Sequence, residues 1–321
     1  MMNPWIAALS AIFLWWFSTG ILMWRVRRAD NLGGDAHLWS VLLGLPLLLG
    51  GIVGLGATAD DTSAQGAYLA FLSALAVWAW AELAFLSGII AGPNTRPCPP
   101  FAPLWERFFR AIGTILWHEA LLVALLLYIL TMQHDEANIF GLWTFAILFF
   151  ARISAKLNLF FGVPRIHTEF LPRPLQHLSS HFLRAQMNWV FPISVSALSY
   201  ASYCWLERAS SATSDGALVG FTLLSALTLL ALLEHWFMVL PLPDQKLWRW
   251  MLPEARPASP PQRESIMAIA PAKDAASNTA RPFPPPPIPE RPAPSRPPCA
   301  PQGRWSGDSS SASKKVTTHG L

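Results

Sequence analysis

Seven long apolar segments alternate with loops whose arginines fall almost entirely on one side, which leaves this chain one kind of fold, a multi-pass bundle of membrane helices. The segments run 5–24, 38–57, 68–91, 112–131, 139–161, 188–206 and 217–241, and each reaches the ~20 residues that a hydrocarbon core demands. The predicted fold is therefore all-α, with seven transmembrane helices. The first, third and fifth loops hold Arg25, Arg27, Arg28, Arg96, Arg107, Arg110, Arg165, Arg173 and Arg184. The second and fourth hold no Lys or Arg, and the sixth only Arg208. By the positive-inside rule the odd loops and the C-terminus are cytoplasmic and the N-terminus is periplasmic. Because no charge precedes the first apolar segment, that segment is expected to be retained as a helix rather than cleaved.

Charge divides the chain at its last helix. Residues 1–241 hold 12 Lys/Arg against 13 Asp/Glu, whereas 242–321 hold 11 against 6, so the net +4 comes from the tail and gives no support to nucleic-acid binding. From residue 253 onward prolines recur and then Ser and Gly dominate, a composition that cannot bury enough apolar surface to fold. The predicted organisation is a transmembrane domain at 1–252 and a disordered cytoplasmic tail at 253–321. Between them Leu247, Trp248, Trp250, Met251 and Leu252 surround Lys246 and Arg249 as an interfacial anchor. Cys98, Cys204 and Cys299 show neither a disulfide framework nor thiolate metal spacing.

Several local patterns set expectations for packing. Gly50-x-x-x-Gly54 lets a neighbouring helix approach closely. Asn188, Pro192, Ser196, Ser199 and Tyr203 form a polar stripe expected to face the bundle. Leu175, Leu178 and Phe182 oppose His177, His181 and Arg184, as on a short helix lying on the membrane surface. His177-x-x-x-His181 lacks a carboxylate at ligand spacing, so no metal is assigned to it. Most of the 16 Trp fall near helix ends, where indoles anchor; Trp15, Trp16, Trp78, Trp80 and Trp117 are the ones a pigment could stack on.

Ionisable side chains inside a bilayer are costly and mark function or ion pairing. Here they are Glu82, His118, Glu119, Arg152, Lys156, Glu234 and His235, on four predicted helices. Glu82, Glu119, Arg152, Lys156 and Glu234 lie about 8 to 14 Å from the predicted cytoplasmic ends, at a helical rise of 1.5 Å per residue. They form one polar layer with two readings, an ion-pair network that locks the bundle or a proton or pigment site. No catalytic motif, glycine-rich phosphate loop or Lys in the last helix is present, so no catalytic residue and no metal are assigned.

The runs FLWWFSTG at 13–20, YLAFLSAL at 68–75, GPN at 92–94, WERF at 105–108, ARISAKLN at 151–158, TEFLP at 168–172 and EHW at 234–236 carry a resemblance. Over residues 5–252 the chain resembles the PuhE family of photosynthetic complex assembly proteins from purple phototrophic bacteria. The resemblance implies a factor of the bacterial inner membrane, cytoplasmic or intracytoplasmic, that affects accumulation of the photosynthetic complexes and bacteriochlorophyll. Its implied partners are the lipid bilayer and reaction-centre subunits or other assembly factors, with bacteriochlorophyll or a precursor as a transient ligand. Two alternatives stand beside a non-enzymatic assembly factor. One is an enzyme or enzyme subunit of bacteriochlorophyll metabolism using His118, Glu119, Glu234 or His235; the other is a membrane pigment or small-molecule carrier.

Overall fold

A computed structural model describes residues 3–241, so the anchor at 246–252, the tail and Cys299 lie outside the described residues. The described part is all-helical: α1 (Pro4–Leu32), α2 (Ala36–Ala57), α3 (Ala64–Leu86), α4 (Leu104–Gln133), α5 (Phe140–Phe161), α6 (Val190–Ser210) and α7 (Asp215–Phe237), with two 3₁₀ segments, Thr168–Phe170 and Arg173–His181. Local chemistry starts these helices. Asn3, Ser63 and Ser214 each accept a first-turn backbone N–H through the side chain, ahead of α1, α3 and α7. Gly33, at φ +68°, ends α1.

Six helices, α1 to α5 and α7, are long and apolar enough to cross a membrane. The chain therefore has the build of a multi-pass membrane protein. Its outer surface fits a lipid solvent, since Leu43, Val53, Phe150 and Ile193 are each more than half exposed. The seven-span expectation is only partly met. α6 is 21 residues long, but its five serines, two tyrosines, Glu207 and Arg208 leave it less apolar than the rest.

The bundle has two apolar cores. One joins Val41, Leu55, Val77, Trp80, Leu122, Phe145 and Phe149 across α2–α5. The other joins Ala7, Ala11, Phe71, Leu75, Leu223 and Leu227 across α1, α3 and α7. α3 belongs to both. Small residues make the α2–α3 contact, and of the expected pair Gly54 takes part while Gly50 does not. A Cβ on Gly51 would stand 2.7 Å from the Ser73 carbonyl oxygen and from Val77 Cγ2, whereas one on Gly50 would meet nothing within 4 Å. Gly44, Gly51 and Gly54 are the row that α3 approaches.

Loop contacts sort the two ends. The Arg173 N–H lies 3.3 Å from Asp30, Arg107 donates to the His181 carbonyl at 3.1 Å, and the Cys98 N–H donates to Ser180, all joining the first, third and fifth connections at an arginine-rich end. At the opposite end Asn138 donates to the carbonyls of Ala59 and Asp61. The basic residues are carried partly on helix ends rather than in loops: α1 continues through Arg25, Arg27 and Arg28, and α4 begins ahead of Arg107 and Arg110.

Two expectations are overturned. Pro192, Ser196, Ser199 and Tyr203 are exposed on the outer side of α6, while Val190, Phe191, Ser194, Ser202 and Trp205 are buried. Ser194 and Ser202 satisfy their hydroxyls on carbonyls one turn back, so packing volume, led by Trp205 against Trp143 and Phe221, sets the inward face. The 173–181 segment is no surface α-helix either. In a 3₁₀ turn residues three apart eclipse, so Leu175, Leu178 and His181 share one face. The two leucines join Phe85 and Ala91 under the bundle end.

Candidate functional site

The seven ionisable residues come together in part, and in an order that their spacing does not reveal. α3 carries Glu82, α4 carries His118 and Glu119, α5 carries Arg152 and Lys156, and α7 carries Glu234 and His235. Arg152 Nη2 donates to Glu82 Oε2 at 2.8 Å. The other oxygen of Glu82 lies 3.8 Å from His118 Nε2, beyond hydrogen-bonding distance. Neither that oxygen nor either ring nitrogen of His118 has a hydrogen-bond partner among the described residues. His118 is fully buried and lies face to face with Phe85 at a centroid distance of 4.3 Å.

A second pair stands beside the first. Lys156 Nζ donates to Glu119 Oε1 and also lies 5.4 Å from the centroid of Phe85. Phe85 thus has an imidazole and an ammonium as neighbours, and its ring quadrupole favours the cation. His235 leaves the layer. Its Nδ1 is 2.8 Å from the Ala231 carbonyl and its Nε2 2.9 Å from Ser154 Oγ, so the backbone carbonyl fixes the tautomer with the proton on Nδ1.

Glu234 has a different setting. It lines a cavity of about 350 Å³ bounded by α1, α3, α5, α7 and the 167–172 segment, and Glu82 and Arg152 line the same cavity. Trp15 and Trp78, two of the indoles singled out for stacking, are also in its walls, whereas Trp80 is buried and donates to the Val41 carbonyl. Arg27 stands at the arginine-rich end of the cavity, where its guanidinium donates to the Glu169 carbonyl and so holds the covering segment. Arg165 ties that segment to the end of α7 through the carbonyls of Met238 and Leu240.

This geometry separates the candidates chemically. Glu82 stands between a cavity-facing guanidinium, from which it accepts, and a sealed imidazole, an arrangement suited to holding charge. His118, beneath Phe85, does not line the cavity, and neither do Glu119 and His235. Among the described residues no three His, Cys, Asp or Glu side chains gather as a metal site.

Sequence reasoning missed several polar anchors. Asn158 donates to the Ser154 carbonyl and to Ser194, joining α5 to α6. Gln133, fully buried, accepts from the Leu142 N–H and links α4 to α5. Asp30 receives His37 at 3.1 Å as well as Arg173. An uncharged amide or a helix-end carboxylate within an apolar stretch was the signal for each.

Comparison with known proteins adds the following. The profile of a family described as "Protein of unknown function (DUF3623)" matches residues 1–259. A protein of Rhodobacter capsulatus named "Uncharacterized 30.4 kDa protein in puhA 5'region" is 61% identical over 253 residues, covering 79% of this chain and 92% of its own length. No solved structure matches.

Proposed function

We propose, from the premise that this chain belongs to the DUF3623 family, that it is a PuhE-type membrane factor supporting assembly or accumulation of the photosynthetic reaction-centre and light-harvesting complexes and bacteriochlorophyll, and that it acts without catalysis. The observation that carries this reading is the 61% identity to a protein whose name sets it in the puhA 5' region. Identity at that level over nearly the whole relative supports a shared role, and the resemblance of the sequence to assembly proteins supports its nature. The proposal includes a photosynthetic inner membrane as the location, a seventh span through α6, and the arginine-rich end facing the cytoplasm. The ion pairs of the polar layer join α3 to α5 and α4 to α5, which suits a lock on the bundle.

A second reading, an enzyme subunit or carrier for bacteriochlorophyll precursors, is favoured by one observation, the indole-walled cavity with Glu82, Arg152 and Glu234. Pigment extracts of a deletion strain separate the two. The assembly factor predicts normal precursors together with unstable reaction-centre subunits. A single accumulated tetrapyrrole precursor would reject it in favour of the enzyme.

A further inference from the structure

The cavity is graded along the bundle. On α1 its lining runs from Trp15 to Arg27, about 18 Å at 1.5 Å per residue, close to the ~15 Å half-thickness of a hydrocarbon core. Its deep part is mostly apolar, with Trp15, Leu75, Trp78 and Leu227 beside Thr19 and Ser18, whose hydroxyl is turned to the Trp15 carbonyl. Its other part, toward the arginine-rich end, holds Arg27, Glu82, Arg152 and Glu234. Such a gradient matches an amphiphile of the adjacent leaflet, with its chain deep and its headgroup shallow.

Charge pairing narrows the headgroup. Arg152 is engaged by Glu82 and Lys156 by Glu119, which leaves Glu234 as the cavity-lining carboxylate that neither a hydrogen bond nor an ion pair within 4 Å holds among the described residues, with the Arg152 guanidinium attracting it only from farther off. Arg27 lines the same cavity, and its guanidinium, with five N–H donors, gives one to the Glu169 carbonyl and keeps others for an anion. A group with one cation and one anion complements this pair. A primary ammonium donates hydrogen bonds to a carboxylate, which a quaternary one cannot, and a phosphate suits a guanidinium.

We propose that the cavity between α1, α3, α5 and α7 is a binding site for a zwitterionic aminophospholipid, its ammonium on Glu234, its phosphate on Arg27 and an acyl chain between Trp15 and Trp78. This site is independent of the photosynthetic role.

The test uses the full chain in vesicles of phosphatidylcholine and phosphatidylglycerol doped with a minor fraction of brominated-chain lipid, read by tryptophan quenching. Brominated phosphatidylethanolamine is expected to show an affinity about tenfold above that of equally brominated phosphatidylcholine or phosphatidylglycerol, equivalent to ~1.4 kcal/mol. The preference is expected to vanish in Glu234→Gln and in Arg27→Gln, and the excess quenching to fall in Trp15→Phe and Trp78→Phe but not in Trp5→Phe. Free glycerophosphoethanolamine in excess is expected not to compete, because it brings no chain to the groove. Equal quenching by all three headgroups, a preference that survives both Glu234→Gln and Arg27→Gln, or full competition by the free headgroup overturns the proposal. If Glu234→Gln does not fold, Arg27→Gln and the tryptophan variants decide it.

Discussion

Arg152 is the residue on which the polar layer turns, because Glu82 is almost fully buried and takes its hydrogen bond from that guanidinium. Arg152→Ala leaves a buried carboxylate without its cation, and the expected loss is about 3 kcal/mol, seen as a lower unfolding midpoint in detergent and lower abundance in immunoblots. Replacing Glu82 as well, in Arg152→Ala/Glu82→Ala, should recover most of that loss, since no uncompensated charge remains; a double variant as unstable as the single one contradicts the pairing. All seven ionisable residues were legible in the sequence, because charge inside an apolar segment announces itself. Their partners were not. The adjacent residues Glu234 and His235 point about 100° apart on α7, and only the packing of α5 decides that one meets the cavity and the other Ser154.

At the scale of elements, hydropathy located all seven helices but left their rotations open. Gly50 and Gly51 illustrate this, being equally glycine in the sequence and separated by one residue's turn about the axis. Gly51→Ala presses a methyl against the Ser73 carbonyl and is expected to cost about 1–3 kcal/mol, while Gly50→Ala is expected to be neutral or stabilising. Thermal midpoints of the two variants check this, and equal effects would contradict the α2–α3 register. The 3₁₀ segment was misread because Leu175 and Leu178 fit a period of 3 as well as 3.6, and Phe182, which lies just past the segment, tipped the spacing toward an α-helix. Burial, together with nearby His177, Arg107 and Arg110, pushes the His181 imidazole below its usual pKa, against its hydrogen bond to the His177 carbonyl. The folded state therefore binds the proton more weakly than the unfolded one. The stability this contributes is complete above the unfolded value of about 6.5 and is lost as pH falls through it toward the depressed folded value. The opening equilibrium of residues 168–184, read as the hydrogen-exchange rate divided by the intrinsic rate at each pH, should rise from about pH 7.5 to about pH 5.5, with a smaller change in His181→Gln; an opening equilibrium independent of pH contradicts this.

For the whole molecule, the arginine bias was the most informative signal, and the structure gathers the three arginine-bearing connections at one end. Reporters fused after Asp61 or Asp135 should be periplasmic, and those after Arg28, Arg110 or Arg173 cytoplasmic; reversal at two of these sites contradicts the orientation. The partners of the chain were not legible, because a lipid-facing helix surface and a protein-docking one share the same apolar composition. The central claim, a role in accumulation of the photosynthetic complexes, is tested most directly by near-infrared absorption of membranes from a deletion strain, with and without the gene restored in trans. The account predicts that the reaction-centre and light-harvesting bands fall in the deletion strain and return with the restored chain, while wild-type bands in the deletion strain would contradict it.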